Sequence, residues 1–137
     1  MTRVLLVDDS SAMRAFARAV LEDAGDPDEP FLVTEATNGF DAMRLLPRSD
    51  YDLVITDINM PDINGLEVIK YLRETERFAG VAILIISTQS SERDRARGLA
   101  LGADLFLAKP FTPEALRLAV SASLAARRAQ RSHEERA

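Results

Sequence analysis

The sequence predicts a doubly wound α/β domain, with five parallel strands in the order 2-1-3-4-5 and five helices covering both faces. Three observations lead there. Strand-like runs alternate with helix-like segments five times, without internal repeat, and strands separated by helices imply a parallel sheet. The runs Leu53-Val54-Ile55 and Val81-Ala82-Ile83-Leu84-Ile85-Ile86 are apolar at every position, as strands covered on both sides are. Several runs also end on polar residues, at Asp8-Asp9, Asp57, Ser87-Thr88 and Lys109. The carboxyl ends of the strands are where an open parallel sheet places its ligands.

Arg3 to Asp9 reads as the first strand, and Ser10 or Ser11 can cap the helix that follows. Met13, Phe16, Val20 and Ala24 keep helical spacing, with Arg14 and Arg18 off that stripe. Gly25-Asp26-Pro27-Asp28-Glu29-Pro30 breaks the helix and makes an acidic loop. Phe31 to Ala36 is the second strand. Asn38-Gly39 turns into a short helix carrying Ala42, Leu45 and Leu46, which Pro47 ends. The third strand, Asp52 to Thr56, delivers Asp57 and is stopped by Pro61. Beyond the loop Met60 to Gly65, the third helix carries Leu66, Ile69, Tyr71 and Leu72. Val81 to Ser87 is the fourth strand, the most apolar and so expected in the sheet interior. Ser91-Glu92-Arg93-Asp94 has the form of a capping box for the fourth helix. Ala96, Leu99 and Ala100 are expected to face inward there, and Gly102 to close the helix. Asp104 to Lys109 is the fifth strand. Thr112 caps the last helix with Pro113 at its first position, and Leu116, Val120 and Leu124 form its inner stripe.

The chain of 137 residues fits one domain, placed at residues 1–126, with 127–137 as a polar basic tail that ends the fifth helix or is disordered. No cysteine is present, which excludes disulfides and thiolate metal sites. The one histidine, His133, lies in the tail, so neither a histidine-rich metal site nor a Ser-His-Asp triad is expected. No apolar run approaches bilayer-spanning length and no signal peptide is read, so a cytoplasmic location without membrane insertion is expected. Net charge is −5. Residues 117–137 hold five arginines against two glutamates, leaving an acidic body that argues against direct nucleic-acid binding. The basic end is expected to be a solvated, frayed helix. Too few residues follow the fifth helix for an output module, so a stand-alone domain is expected.

The predicted topology gathers Asp8, Asp9, Asp57, a hydroxyl from Ser87 or Thr88, and Lys109 at one sheet edge. Each could be a cap or a solvated turn residue alone; four such coincidences at one edge argue for a site. Clustered carboxylates repel one another unless a cation intervenes. A hard divalent ion with oxygen ligands answers that need, with Mg²⁺ the expected ion and Mn²⁺ a substitute. Carboxylate, metal, ammonium and hydroxyl around one pocket are the parts that stabilise a phosphoryl group in transfer.

The segments Val7-Asp8-Asp9-Ser10, Thr56-Asp57-Ile58-Asn59-Met60-Pro61 with Gly65, Ile86-Ser87 and Ala108-Lys109-Pro110-Phe111 resemble the motif set of the response-regulator receiver domain, the CheY-like family of flavodoxin-like fold. The match runs from about Arg3 to about Ala125. The resemblance implies that Asp57 accepts a phosphoryl group from a sensor histidine kinase or histidine phosphotransfer protein. It implies that Asp8, Asp9, Asp57 and the backbone carbonyl of Asn59 hold Mg²⁺, and that Lys109 pairs with a phosphate oxygen. Ser87 would follow the phosphate, with Thr88 as fallback, because only one of two successive strand side chains can aim at the pocket. Phe106 matches the switch aromatic, and is equally well read as plain core. The surface of the fourth helix, fifth strand and fifth helix is the docking face for a downstream protein. Asn59 and Gln89 sit where the family tunes phosphate lifetime, and fast self-dephosphorylation over seconds to minutes is expected. Such a chain is a signalling domain rather than an enzyme. Two alternatives are a Mg²⁺-dependent phosphatase with an aspartate nucleophile and a phosphorylation-independent interaction module. Asn59, where the phosphatase needs a second acid, speaks against the first, and the intact acid, hydroxyl and lysine set against the second.

Overall fold

The computed structural model describes residues 1–88 and 92–136, with side chains as far as Arg131. Five parallel strands form one sheet in the order β2-β1-β3-β4-β5, as predicted. They are β1 (Thr2–Val7), β2 (Phe31–Ala36), β3 (Leu53–Thr56), β4 (Ala82–Ser87) and β5 (Leu105–Ala108). The helices are α1 (Ser11–Ala24), α2 (Gly39–Leu45), α3 (Gly65–Glu74), α4 (Glu92–Leu101) and α5 (Pro113–Arg136). Among the described residues, no helix is long and apolar enough to cross a membrane.

Strand alternation divides the core in two. Leu5, Val7, Val54, Ile83 and Ile85 face α2 and α3, while Val4, Leu6, Leu53, Ile55, Leu84 and Ile86 face α1 and α5. Every residue of β3 and of β4 is buried, which is why both read as unbroken apolar runs. β3 is the middle strand and β4 its interior neighbour.

Turn and cap chemistry follows the sequence closely. Ser10, Asn38 and Asn64 cap α1, α2 and α3, each accepting from a backbone N–H three residues on. Thr112 does the same for α5, through Ala115 N. Gly102 closes α4 with φ of 118°, a backbone state that favours glycine. Leu46, expected in the second helix, lies in a 3-10 turn over Leu46–Arg48 that contains Pro47. Ser91, offered as the cap of the fourth helix, lies outside the described residues.

Two apolar stripes differ from expectation. On α1 the buried face is Ala17, Val20 and Leu21. Phe16 is 37% exposed and its ring leans on Phe111 at 5.9 Å, because the smaller Ala17 lets the helix lie close on the sheet. On α4, Ala96, Leu99 and Ala100 point outward. The only buried residue is Gly98, where a Cβ would stand 2.3 Å from Ile85 Cδ1. The glycine sets the rotation of α4, and Leu101 rather than Leu99 joins the core.

The basic end continues the fifth helix; Arg128 to Arg131 are exposed, while Arg127 is drawn into the fold. Helix α5 continues to Arg136. Arg127, with its side chain 12% exposed, pairs with Asp104 Oδ1 at 3.2 Å. The other oxygen of Asp104 accepts from Ile83 N at 2.8 Å and from Arg73 Nη2 at 3.2 Å. Arg73 also donates to the carbonyls of Ala79, Val81 and Gly102. One sequestered carboxylate thus joins α3, β4 and α5 at the amino ends of the strands. The reason is geometric. Asp104 would be buried with unmet hydrogen-bonding capacity unless cations reached it, and long arginine stems can.

On the other side of the sheet, α1 is fastened to β2 by Glu35, which takes Arg14 Nε at 3.0 Å and Arg18 Nη1 at 2.7 Å. The bond from Arg18 leads the causes that hold the Glu35 carboxyl below its ordinary value of 4.5.

Two outcomes are expected. Asp104→Ala leaves two nearly buried guanidinium groups without their shared anion and should cost about 3 kcal/mol in urea unfolding, more than Arg127→Ala, which leaves Arg73 paired. Because the folded state depresses the Glu35 pKa, its contribution is present above the unfolded value and lost as pH falls through the folded one. The gap in melting temperature between wild type and Glu35→Gln should therefore be present at neutral pH and narrow progressively as pH falls below 4.5. A gap that does not narrow below pH 4.5 would contradict it.

Candidate functional site

The predicted polar residues meet at the carboxyl edge of the sheet. Asp8 directly follows β1, where its amide still donates to Ala36 O at 3.1 Å. Asp57 directly follows β3, its amide donating to Val7 O at 3.0 Å. Ladder bonds thus run one residue past each strand and fix both backbones. One carboxylate oxygen from each of Asp8, Asp9 and Asp57 lies within 4.8 Å of the other two. Asp8 is wholly buried, Asp57 nearly so, and Asp9 faces solvent.

Lys109 enters from the end of β5, where its amide donates to Ser87 O at 2.8 Å. Its ammonium lies 2.7 Å from Asp8 Oδ2 and 3.1 Å from Asp57 Oδ2, with the side chain only 8% exposed. Burial alone would lower the pKa of this lysine. The flanking carboxylates of Asp8 and Asp57 outweigh that, and the pKa stands above its ordinary 10.5. The lysine is therefore a permanent cation at neutral pH.

Ser87 ends β4 and is fully buried, whereas Thr88 is exposed. Asn59 donates its amide to Asp57 Oδ1 at 3.3 Å and leaves its side chain in solvent. Phe106 sits in β5 opposite Ile85, half-buried against the core beneath α2 and α3. Gln89 lies outside the described residues. The structure thus brings Asp8, Asp9, Asp57 and Lys109 together, sets Ser87 at the end of the strand between Asp57 and Lys109, and keeps Phe106 further along β5.

Three oxygen donors of this charge suit a hard divalent cation, and the exposed Asp9 leaves a solvent path to it. A buried acid pair already bridged by one ammonium also suits an incoming dianion, which the cation can pair with.

Residues outside the predicted set help to build the pocket. A Cβ on Gly65 would fall 1.9 Å from Asp57 O, so α3 begins against the main chain of Asp57 and only glycine fits. Thr56 Oγ1 donates to the same carbonyl at 2.9 Å. Arg14 Nη1 donates to Asp8 O at 2.6 Å. Gly65 had a signal, its place after a loop at the start of a helix. Arg14 had none, since six residues of sequence separation do not show a guanidinium turning back.

Comparison with known proteins agrees with this geometry. The family model described as "Response regulator receiver domain" matches residues 4–121. A chemotaxis protein CheY homolog of Campylobacter jejuni is 35% identical over 116 residues, covering 84% of this chain and 86% of the relative. The response regulator Rre1 of Synechocystis is 37% identical over 126 residues, 92% of this chain but 53% of that protein. The chemotaxis response regulator CheY4 of Vibrio cholerae superposes with a TM-score of 0.81 at 32% identity, over 90% of this chain and 98% of the other. Taken with an acid pocket at the carboxyl edge of a 2-1-3-4-5 sheet, these likenesses place the chain in the response regulator receiver domain family, the CheY-like receivers of two-component signalling.

Proposed function

We propose that Asp57 is the phosphoacceptor of this receiver, taking a phosphoryl group from the histidine of a sensor kinase or phosphotransfer protein. The observation that carries this is the Lys109 ammonium held between Asp8 and Asp57 at 2.7 and 3.1 Å, beside the three-acid cluster. In the transfer, an Asp57 carboxylate oxygen forms a bond to phosphorus as the bond from phosphorus to the histidine nitrogen breaks, and the leaving imidazole takes up a proton. The product is a mixed anhydride, tolerable only where its new charge is met.

Asp8, Asp9, Asp57 and the main-chain carbonyl of Asn59 would hold Mg²⁺, which when bound supplies the positive charge that the phosphoryl oxygens need. Lys109 supplies the second cation and exchanges its contact with Asp57 for a phosphoryl oxygen. Ser87, buried at the end of β4 between the acceptor strand and the strand of the lysine, donates to the phosphate. Thr88 is exposed and less well placed. A phosphate charge of about −1.5 to −2 at neutral pH then biases the end of β4, and Phe106 on the neighbouring strand follows. A downstream protein reads the change on the face of α4, β5 and α5, where Leu99 and Leu118 are exposed. The solvent-exposed Asn59 side chain is free to orient a water toward the acyl phosphate and shorten its life; Gln89, the other amide offered for this role, lies outside the described residues.

With acetyl phosphate and Mg²⁺, intact-mass measurement should show the gain of one phosphoryl group on the wild type and none on Asp57→Asn. Lys109→Ala should slow that gain on the order of a hundredfold, the usual cost of losing one donor to a developing anion. A mass gain undiminished in Asp57→Asn would move the acceptor elsewhere and overturn the assignment.

A further inference from the structure

Phosphoryl transfer as set out above does not use Arg14, yet this side chain is tied directly to the acid pocket. It lies in the first turn of α1, 13% exposed. Its Nη1 donates to the Asp8 carbonyl at 2.6 Å and its Nε to Glu35 Oε1 at 3.0 Å. Glu35 is steadied in turn by Arg18 at 2.7 Å. Two edges of a planar guanidinium are thus fixed, which a lysine could not reproduce. The Arg14 amide also donates to Ser10 O at 3.0 Å, so the arginine belongs to the turn that it clamps. Asp8 is consequently held at three points: its carbonyl by Arg14, Oδ1 by Ser10 N at 2.8 Å and Oδ2 by Lys109 at 2.7 Å.

We propose that Arg14 is a positioning residue for the acid pocket, pinning the backbone of the turn from β1 to α1 so that Asp8 and Asp9 are presented to a divalent cation already ordered. The proposal rests on the assignment of these acids as the cation site. Arg14 itself touches neither the cation nor the phosphoryl group.

Charge and geometry make opposite predictions, and that makes the idea testable. As a point charge, a guanidinium beside the pocket repels a dication, so its removal should tighten binding. As a clamp, its removal frees the turn, and the carboxylates must then be ordered at the cost of binding free energy. A merely structural arginine would lower the melting temperature and leave the cation affinity alone.

The experiment is titration of the ¹⁵N-labelled chain with MgCl₂ alone, followed at the amides of residues 8–10 and 57–59. Wild type should show a saturable response. Arg14→Ala should raise the Mg²⁺ Kd about tenfold, as loss of a group that orients metal ligands does. Arg18→Ala removes a neighbouring cation but leaves both Arg14 hydrogen bonds, and should change the Kd far less than Arg14→Ala does. If Arg14→Ala does not fold, Arg14→Met, which keeps the aliphatic stem, takes its place with the same expectation. A Kd in the folded Arg14 variant equal to or below that of wild type overturns the proposal, as does an equal loss in Arg18→Ala. No Mg²⁺ response in the wild type would instead overturn the cation site itself, and the proposed function with it.

Discussion

The arrangement depends on one ammonium group. Asp8 is completely buried and Asp57 nearly so, and two negative charges so placed repel each other unless a cation is shared between them. Lys109 is that partner. It comes from the end of β5, with β4 lying between its strand and that of Asp57, and β1 lies a strand further still. Strands are spaced about 4.8 Å apart, so only a long, flexible side chain entering from the following turn can serve both acids. The order of the sheet and the choice of lysine are therefore parts of a single electrostatic solution.

The two halves of the core hold that solution with unequal firmness. On the side of α1 and α5, large side chains interlock and the Glu35 ion pairs fasten α1 to β2. On the other side, α3 is well buried, but α4 contributes one glycine as its sole buried residue. Little apolar area holds α4 down, and elements with few buried contacts open at low free-energy cost. Strand β3 is thus flanked by a rigid layer and a yielding one. A local charge change can be converted into a movement of surface elements when one layer gives before the other.

Much of this was legible in the sequence because local rules and global fold agreed. The runs at β3 and β4 carry no polar alternation, and Ser10 and Thr112 perform the caps read for them, while Asn38 and Asn64, in segments read as turn and loop, cap as well. The acids and Lys109 could be grouped because a parallel sheet of this order leaves few places for strand ends to go. The stripes on α1 and α4 were misjudged for a common reason. Periodicity weighs side chains by their apolar surface, whereas Ala17 and Gly98 are buried because they are small and permit close approach. The inward turn of Arg127 was not foreseen because arginines are ordinarily solvated. Only the tertiary placement of Asp104 reveals that Arg127 has a buried anion to meet. Arg14 was invisible for a similar reason, since its partner at Asp8 is a backbone carbonyl and no residue type announces it.

The anchor at Asp104 has a mechanical meaning. Helix α5 starts beside the pocket at Pro113 and reaches its ion pair at Arg127, fourteen residues on, or about 21 Å at the usual rise. It is a beam pinned at its far end and seated at its near end by Phe111 against Phe16. Held in that way, and buried along its length at Leu116, Val120 and Ser123, it can neither slide nor swing freely. Any shift of the turn after Lys109 would therefore be resisted by α5 and relieved in the loosely held α4.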